Sequence, residues 1–322
     1  MDAMKQFSLM MFPWGVEPPK VEELIAAAQH AEELGFYSVS IPQHLTLPTG
    51  WIFQEFPNQD VVDPLVLLPA IAAATKSIRV GPNSVLLPLL PPYAWAKYLA
   101  SLDVITGGRV IAGVAMGWWE EEFRVVEVDR RLRGKLFDEQ LEMITRLWVE
   151  DRVTFKGRFY QLDDAPLEPK PVQKPYPPIW MGGGVHSIER AARYAEYIVP
   201  FWPTPEEARK VYIPRLREAG ERWGTHPKLM SFNFIGVAKD EENFRRGILP
   251  QLKKCVTFEN PDAEPEDVAI CGMPEQCAQR IKAVQEAGSA HSLIDFNCHG
   301  LESVQYMIEQ MDLFKERVVP LL

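Results

Sequence analysis

Residues 6–35 read QFSLMM, FPWGVEPPK and VEELIAAAQHAEELG, and together they form one strand–loop–helix unit. The apolar run Gln6–Met11 is typical of a buried strand. Val21–Leu34 has apolar residues at helical spacing and ends before Gly35. The same order, a short apolar run followed by a longer helical pattern, recurs along the chain. This repetition decides the fold class.

Seven further strands are predicted, and each is followed by a helix. The strands are Tyr37–Ile41, Ile78–Gly81, Arg109–Val114, Pro178–Met181, Tyr197–Pro200, Leu229–Val237 and Ser292–Phe296. The helices are Pro64–Ala74, Tyr93–Ile105, Leu136–Trp148, Ser187–Tyr194, Pro205–Trp223, Glu241–Lys254 and Leu301–Lys315, with an additional helix at Pro274–Ala287. Short strands buried on both faces need helical crossovers to cover them. The pattern therefore predicts an α/β fold, a single (β/α)8 TIM-like barrel formed by residues 1–322.

Two insertions interrupt the alternation, one after strand 4 and one before strand 8. Val153–Tyr160, with Lys156 and Gly157 at its middle, is typical of a hairpin, and the prolines from Pro166 to Pro178 predict an extended surface passage. Phe258–Val268 is acidic and contains proline, which predicts a loop or lid. The alternative fold is an open doubly wound sheet. Its usual Gly-x-Gly-x-x-Gly turn is missing after the first strand, where the chain reads FPWG.

Composition limits the function classes. The 322 residues are 47% hydrophobic and 24% charged, which is typical of a globular protein and excludes global disorder. Lys and Arg total 34 against 44 for Asp and Glu, and the net charge of -10 disfavours nucleic acid as a partner. No apolar stretch reaches the ~20 residues of a membrane span, and the first residues do not resemble a secretory signal. We therefore expect a cytoplasmic protein with no membrane association.

The cysteine and histidine patterns do not indicate a metal site. The four cysteines, Cys255, Cys271, Cys277 and Cys298, include no Cys-x-x-Cys pair and are expected to be buried reduced thiols. No histidine has a partner at a spacing typical of metal ligands.

His44 is the first candidate for catalysis. It follows the predicted strand Tyr37–Ile41, and active sites of such barrels lie at the C-terminal ends of the strands. A neutral imidazole facing the barrel mouth can donate to a ligand or take a proton from it. The alternative is a loop histidine bonded to backbone groups. His186 and His299 are further candidates for the same end of the barrel.

Two glycine-containing stretches follow predicted strands. Gly182–Ser187 reads GGGVHS, and a glycine run that opens a helix presents backbone N–H groups to a phosphate-sized anion. The alternative is that this turn is purely structural. In that case the segment Arg130–Arg133 is the next candidate for a phosphate site. Gly113–Phe123 reads GVAMGWWEEEF, whose tryptophans are able to wall a flat ring. Its three glutamates either carry out acid–base chemistry or complement the helix dipole.

Several of these stretches, in this order and spacing, resemble the bacterial luciferase-like family of flavin-dependent oxidoreductases. They are LDVITGGRV (102–110), GVAMGWWEEEF (113–123), LEPKPVQ (167–173), PPIWMGG (177–183) and GMPE (272–275). The resemblance implies a TIM-like barrel that binds reduced FMN, supplied by a separate flavin reductase, and uses oxygen to oxygenate a substrate. A second branch of the family uses a deazaflavin, coenzyme F420, as a hydride carrier.

The resemblance also assigns site residues. It places His44 near the ring system and the substrate. It implies a bulge at Pro82–Val85 with a cis peptide between Ser84 and Val85 that supports the ring. The predicted cofactor-binding set is Ser84, Val85, Met116, Gly117, Gly182, Gly183, Gly184 and Ser187.

The sequence departs from the family pattern at two positions. Ala115 replaces the middle glycine of the usual Gly-x-Gly-x-Gly, and Trp118 stands where sugar-phosphate dehydrogenases of the deazaflavin branch have an acidic residue. Trp14, Trp51 and Trp118 therefore predict a pocket for a small apolar or aromatic substrate. The favoured function is a monooxygenase using reduced FMN and oxygen. The alternatives are F420-dependent hydride transfer and a non-catalytic flavin-binding protein, and a homodimer is a possible assembly.

Overall fold

The computed structural model describes residues 3–48, 53, 55–56, 61–201, 203–256 and 264–322. The strands in these ranges are β1 (Phe7–Met10), β2 (Ser38–Ile41), β3 (Arg79–Pro82), β4 (Val85–Leu86), β5 (Ala112–Ala115), β6 (Arg152–Lys156), β7 (Gln161–Pro166), β8 (Ile179–Gly182), β9 (Tyr197–Val199), β10 (Lys228–Val237), β11 (Ile270–Gly272) and β12 (Ser289–Asp295). The α-helices are α1 (Val21–Leu34), α2 (Pro64–Ala74), α3 (Pro92–Thr106), α4 (Glu120–Val125), α5 (Arg133–Val149), α6 (Ile188–Tyr194), α7 (Pro205–Glu207), α8 (Ile213–Trp223), α9 (Glu241–Asn243), α10 (Leu249–Val256), α11 (Pro265–Val268), α12 (Pro274–Glu286) and α13 (Val304–Leu313).

Eight parallel strand positions form a barrel. β3 and β4 follow each other across Asn83 and Ser84 and occupy one position. The order around the ring is β1, β2, β3 with β4, β5, β8, β9, β10 and β12, and β12 pairs with β1. β4 pairs with β5, and a parallel bridge between Val80 and Val110 joins β3 to the segment before β5. The predicted (β/α)8 TIM-like barrel is confirmed.

Local sequence signals set the ends of the first helices. α1 ends at Gly35, whose φ of 91° is a left-handed conformation that glycine adopts without a Cβ clash. α2 begins after Asp63, whose side chain accepts a hydrogen bond from the backbone N–H of Leu65 at 2.7 Å, and Pro64 fits the first helical position. Both helices have the bounds that the sequence predicts.

The apolar core has three parts. One lies between the barrel and helices α1, α2, α12 and α13, and a second lies between the barrel and helices α3, α5, α6 and α8. The third fills the barrel interior, where Trp180, Met230 and Phe234 are buried completely. The barrel is therefore a packed core below its mouth, as expected for this fold.

The N-terminal end of the barrel is held by hydrogen bonds from the LDVITGGR and LEPKPVQ stretches. Arg109 donates to the carbonyls of Ala72 and Ile78, each at 2.8 Å. The fully buried Asp103 accepts from the backbone N–H of Gln173 at 3.0 Å and from its Nε2 at 2.8 Å. Arg109 and Gln173 thus satisfy backbone carbonyls where strands start, and Asp103 satisfies a backbone N–H, so these stretches have a structural role.

The insertions differ from the prediction in three ways. The hairpin is longer than Val153–Tyr160: it pairs β6 with β7, and its turn lies at 157–160. Of the predicted loop Phe258–Val268, residues 258–263 lie outside the described residues, and Pro265–Val268 is the helix α11. β11 was not predicted, and it pairs with the C-terminal part of β10 through Ile235 and Ile270. The proline-rich passage after β7 has no regular structure, as predicted.

None of the helices in the described ranges combines the length and apolar character that crossing a bilayer requires.

Candidate active site

A cavity of about 450 Å³ opens at the C-terminal ends of the barrel strands. Every strand position contributes to its lining, and His44 is part of it. A second cavity of about 520 Å³ lies at the opposite end, between α8 and the starts of β10 and β12, where it is bordered by Leu216, His226 and Lys228. We consider the first cavity to be the candidate active site, because it contains the candidate catalytic residue and lies at the functional end of such barrels.

One side of the cavity, which we call the small-residue wall, is formed by Asn83, Ser84, Ala115, Gly117, Gly182 and Gly183. A Cβ atom added to Gly182 would lie 2.9 Å from Ser84 Oγ and 3.4 Å from Ala115 Cβ. One added to Gly183, whose φ is 148°, would lie 2.4 Å from Ser187 Oγ. The glycines thus keep this wall free of side chains, and a flat ligand has access to its backbone.

The small-residue wall also contains an unused hydrogen-bond donor. Asn83 Nδ2 is buried and has no hydrogen-bond partner in the part of the chain that the structure describes, while Asn83 Oδ1 accepts from Ser84 Oγ at 2.8 Å. A buried donor without a partner costs about 1–3 kcal/mol. The cis peptide bond lies between Asn83 and Ser84. The prediction that it joins Ser84 to Val85 is wrong by one residue, because Val85 already pairs with Val114 in β4.

The other side of the cavity, which we call the aromatic wall, is formed by Phe12, Trp14, Phe53, Trp118, Phe201 and Phe232 with Met10 and Leu293. Trp14 is buried and its ring centroid lies 5.3 Å from that of Phe12. Trp118 is 44% exposed and therefore lies at the rim. Trp51, the third predicted pocket tryptophan, lies outside the described residues. This wall is suited to an apolar ligand surface.

His44 lies between these aromatic rings and a buried carboxylate. Its Nδ1 is 3.2 Å from Oε1 of Glu122, which also accepts from the backbone N–H of Leu45 at 2.7 Å. The Glu122 side chain is completely buried, and the His44 side chain is 11% exposed. Because a carboxylate accepts, this contact favours the tautomer that carries its hydrogen on Nδ1, so Nε2 is the nitrogen able to accept a proton.

Sequence reasoning did not find Glu122. It treated the three glutamates as equivalent, whereas Glu120 and Glu121 bond to Arg130 and Arg124 at the surface. α4 begins at Glu120, and no local pattern distinguishes Glu122 from the two glutamates before it. The contact with His44, 78 positions away in the chain, was not readable from sequence.

His299 is a second histidine on the cavity lining. It follows the last barrel strand, and its Nδ1 is 2.8 Å from Oδ2 of the buried Asp295. The backbone carbonyl of His299 accepts from Trp14 Nε1 at 3.1 Å. The cavity thus has imidazoles from two strand positions, β2 and β12, with Trp14 in contact with both.

The remaining histidines do not reach this cavity. Burial lowers the pKa of His291 to about 4, with a smaller contribution from Lys228, and its Nε2 bonds Ser8 Oγ at 2.8 Å inside the barrel. His186 is exposed, and His226 borders the cavity at the opposite end. No group of three or more histidines, cysteines or acidic residues in the described ranges is arranged to hold a metal ion.

The predicted cofactor residues divide into two groups. Ser84, Met116, Gly117, Gly182 and Gly183 line the cavity, as do Trp14 and Trp118 of the predicted substrate pocket. Val85, Gly184 and Ser187 do not. Val85 is buried in the core beside α3, Gly184 is exposed, and Ser187 is buried behind Gly183 in the turn before α6.

Comparisons with known proteins agree with this geometry. The family model described as "Luciferase-like monooxygenase" matches residues 9–265. The chain is 27% identical to the FMNH(2)-dependent dimethylsulfone monooxygenase of Pseudomonas fluorescens, over 96% of this chain and 88% of that one. It is 34% identical to the F420-dependent glucose-6-phosphate dehydrogenase of Kineococcus radiotolerans, over 61% and 58%. The crystal structure of monooxygenase RslO1 from Streptomyces bottropensis has the same fold, with a TM-score of 0.81, 24% identity and 98% and 99% coverage. The chain belongs to the luciferase-like monooxygenase family.

Proposed function

We propose that this protein is a monooxygenase that uses reduced FMN and molecular oxygen to oxygenate a small, largely apolar substrate. One observation carries the proposal: a single cavity has a wall of small residues on one side and an aromatic wall with His44 on the other. The first suits a flat cofactor ring and the second suits an apolar substrate beside it. The FMNH(2)-dependent relative, which aligns over nearly the full chain, supports this choice of cofactor.

The small-residue wall fits a flavin ring. Asn83 Nδ2 is a buried donor whose hydrogen-bonding capacity is unused within the described residues, and a flavin ring offers polar atoms that accept such bonds. Gly182 and Gly183 present backbone without side chains beside it, and a Cβ at either position would collide with Ser84 or Ser187. When bound, reduced FMN supplies the electrons that activate oxygen for transfer to the substrate.

For the phosphate we propose the turn at Gly182–Ser187. Its backbone leads from β8 into the 3₁₀ turn Val185–Ser187 and then into α6, and such a turn presents backbone N–H groups. In this arrangement the exposed Gly184 and the buried Ser187 lie beside the phosphate rather than beside the ring. The segment Arg130–Arg133 remains the next candidate.

His44 is proposed to hold or move a proton at Nε2. Glu122 orients the ring through Nδ1, which leaves Nε2 as the nitrogen for proton transfer. Trp14 and Trp118 pack around the ring, with centroid separations of 5.6 and 6.3 Å. These side chains limit the access of water, which protects reactive oxygen chemistry from side reactions.

Coenzyme F420-dependent hydride transfer is the second candidate function. The Kineococcus relative shares 34% of aligned residues and supports it. Trp118 argues against a sugar-phosphate substrate for this chain, because its indole places an uncharged, largely apolar ring at the cavity rim, where a phosphate would require positive charge.

Other expectations accompany the proposal. A separate flavin reductase would supply reduced FMN, as the family resemblance implies. The single domain of residues 1–322, the homodimer and the cytoplasmic location stay predictions.

Anaerobic titrations with reduced FMN and with reduced F420 test the choice of cofactor. We expect saturable binding of reduced FMN with an affinity at least tenfold higher than that for F420. His226→Gln, at an exposed residue that borders the opposite cavity, provides a control variant that should leave both affinities unchanged. Tight binding of F420 with no binding of reduced FMN would replace the proposal with hydride transfer.

A further inference from the structure

We propose that His299, positioned by Asp295, contacts the substrate and selects compact, otherwise apolar molecules that carry one hydrogen-bonding oxygen group, such as a sulfone or a carbonyl. This assignment rests on the proposed monooxygenase function and goes beyond it by naming the residue that recognises the polar group of the substrate.

Asp295 is a buried carboxylate whose side-chain partner, within the described residues, is the imidazole of His299. Oδ2 accepts from both Nδ1 and the backbone N–H of His299 at 2.8 Å, and Oδ1 accepts from the backbone N–H of Asn297 at 2.9 Å. Burying a carboxylate costs several kcal/mol unless charge and hydrogen bonds offset it. This arrangement fixes the imidazole with Nδ1 as the donor to Asp295 and Nε2 as its second polar atom.

The backbone conformation at His299 disfavours any residue other than glycine. Cys298 and His299 both have positive φ values, 51° and 58°, and Gly300 follows at 93°. A non-glycine residue in this left-handed region costs about 1–3 kcal/mol. Glycine would avoid that cost at 299, so a bulky imidazole here requires a reason. Such strained positions cluster at functional sites.

The ring of His299 introduces polar atoms into an apolar surface. Its centroid lies 4.5 Å from that of Phe12, and it stacks on Phe232 at 5.8 Å with an interplanar angle of 15°. The ring also lines the cavity. The same imidazole therefore contacts Asp295 and borders the cavity.

The two histidines have different partners and therefore different roles. His44 is oriented by Glu122 and is assigned to proton transfer, whereas His299 is oriented by Asp295 on the neighbouring part of the aromatic wall. Trp14 contacts both, through a ring separation of 5.6 Å to His44 and a hydrogen bond to the His299 carbonyl. With the cofactor ring in the same 450 Å³ cavity, the space left between the histidines suits a compact substrate.

The test uses His299→Gln, with dimethyl sulfone as the probe because it presents two sulfonyl oxygens on a small apolar body. A matched control exists on the outer surface, where His30 Nε2 lies 2.7 Å from Asp312 Oδ1, so His30→Gln removes a similar histidine–aspartate contact far from the cavity. We expect His299→Gln to raise KM for dimethyl sulfone about tenfold while kcat changes less than threefold. The affinity for reduced FMN and the kinetics of His30→Gln should match the wild type.

A second measurement does not depend on turnover or on a folded variant. The imidazole signals of histidine-labelled wild-type protein are followed by nitrogen and carbon NMR with oxidised FMN present while dimethyl sulfone is added. We expect the His299 signals to shift saturably and the His30 signals to stay constant.

The outcomes separate the two proposals. If the wild type neither binds reduced FMN nor consumes oxygen, the monooxygenase proposal fails, and the NMR titration alone decides the role of His299. The assignment of His299 is overturned if dimethyl sulfone leaves its signals unchanged, or if His299→Gln keeps the wild-type KM. It is also overturned if the variant loses cofactor affinity and sulfone affinity equally, since that result indicates a structural role.

Discussion

The two ends of the barrel treat polar groups in opposite ways. At the N-terminal end, Asp103 and Arg109 bond to backbone and side-chain partners that link the strand starts. At the C-terminal mouth, Asn83 Nδ2 and Glu122 Oε2 are buried without hydrogen-bond partners inside the described ranges, and the non-glycine His299 is left-handed. The polar groups at the N-terminal end therefore stabilise the fold. Those at the mouth keep hydrogen-bonding capacity for a ligand, as in other barrels of this class.

The largest expected effect on stability lies at the N-terminal end. Arg109→Ala leaves the carbonyls of Ala72 and Ile78 without their donor, and each such loss costs about 1–3 kcal/mol. We expect the free energy of unfolding to fall by about 4 kcal/mol, measured by denaturant titration, while the folded fraction keeps its cofactor affinity. Loss of cofactor affinity without loss of stability would contradict the assignment of stability to the N-terminal end and of ligand binding to the mouth.

Glu122→Ala should produce the largest effect at the mouth after loss of His44 itself. The substitution removes the acceptor that orients His44 and frees the Leu45 N–H; at metal sites, loss of the partner that orients a histidine costs about 10- to 100-fold in activity, and we expect a loss of similar size here. We expect kcat to fall by about 30-fold. Glu122→Gln keeps an acceptor for both groups and should recover part of the loss. Equal activities of the two variants would contradict the orienting role.

Gly183→Val tests the small-residue wall. Its Cβ would lie 2.4 Å from Ser187 Oγ at a φ of 148°, so the turn at Gly182–Ser187 must shift. We expect the Kd of reduced FMN to rise at least tenfold, measured by anaerobic fluorescence titration. Gly224→Ala also substitutes a left-handed glycine, but it has nothing within 4 Å of its Cβ and should leave the Kd unchanged. An unchanged Kd for Gly183→Val would move the phosphate site elsewhere.

The smallest expected effect is a pH-dependent one at the N-terminal end. Glu32 is the acceptor for the backbone N–H groups of Lys76 and Ile78 at 2.9 and 2.8 Å. Burial raises the pKa of Glu32. The hydrogen bonds from Ser77, Ile78 and Lys76 outweigh this effect, and the pKa of Glu32 falls from 4.5 to about 2. Because the folded state holds the carboxylate more strongly than the unfolded state, the contribution is fully present above pH 4.5 and is lost as the pH falls toward 2.

Glu32→Gln measures this contribution. At pH 7 we expect the variant to be less stable by about 1 kcal/mol, a value reduced for solvent screening at this partly exposed site. The difference between wild type and variant should shrink as the pH is lowered from 5 to 3. A difference that stays constant over this range would show that the carboxylate charge is not responsible.

Much of the fold was predictable because its signals are local. Gly35 after α1 and the Asp63–Pro64 pair before α2 mark helix ends through the conformations of single residues. β11 was missed because its three residues are a strand only through pairing with β10, and such pairing is not encoded in a short apolar run.

The candidate site was predictable in part for a related reason. His44 and the glycines after β8 stand directly behind strands, so their place at the mouth follows from the fold. Glu122 and Asp295 act through contacts with histidines, and their meaning depends on backbone geometry that the sequence pattern does not contain. The left-handed turn at Cys298 and His299 is the clearest case, because cysteine does not signal it and the enrichment of histidine in this conformation is too small to place a turn.

The rate of oxygen uptake by the protein with reduced FMN and dimethyl sulfone tests the central claim most directly, when the wild type is compared with His44→Asn and His226→Gln. His226 borders the cavity at the opposite end, so its variant is the matched control. We predict that the wild type and His226→Gln couple oxygen uptake to sulfone consumption, and that His44→Asn is at least about 100-fold slower with an unchanged affinity for reduced FMN. Equal rates in all three proteins, or sulfone-independent turnover with F420 in the absence of oxygen, would contradict it.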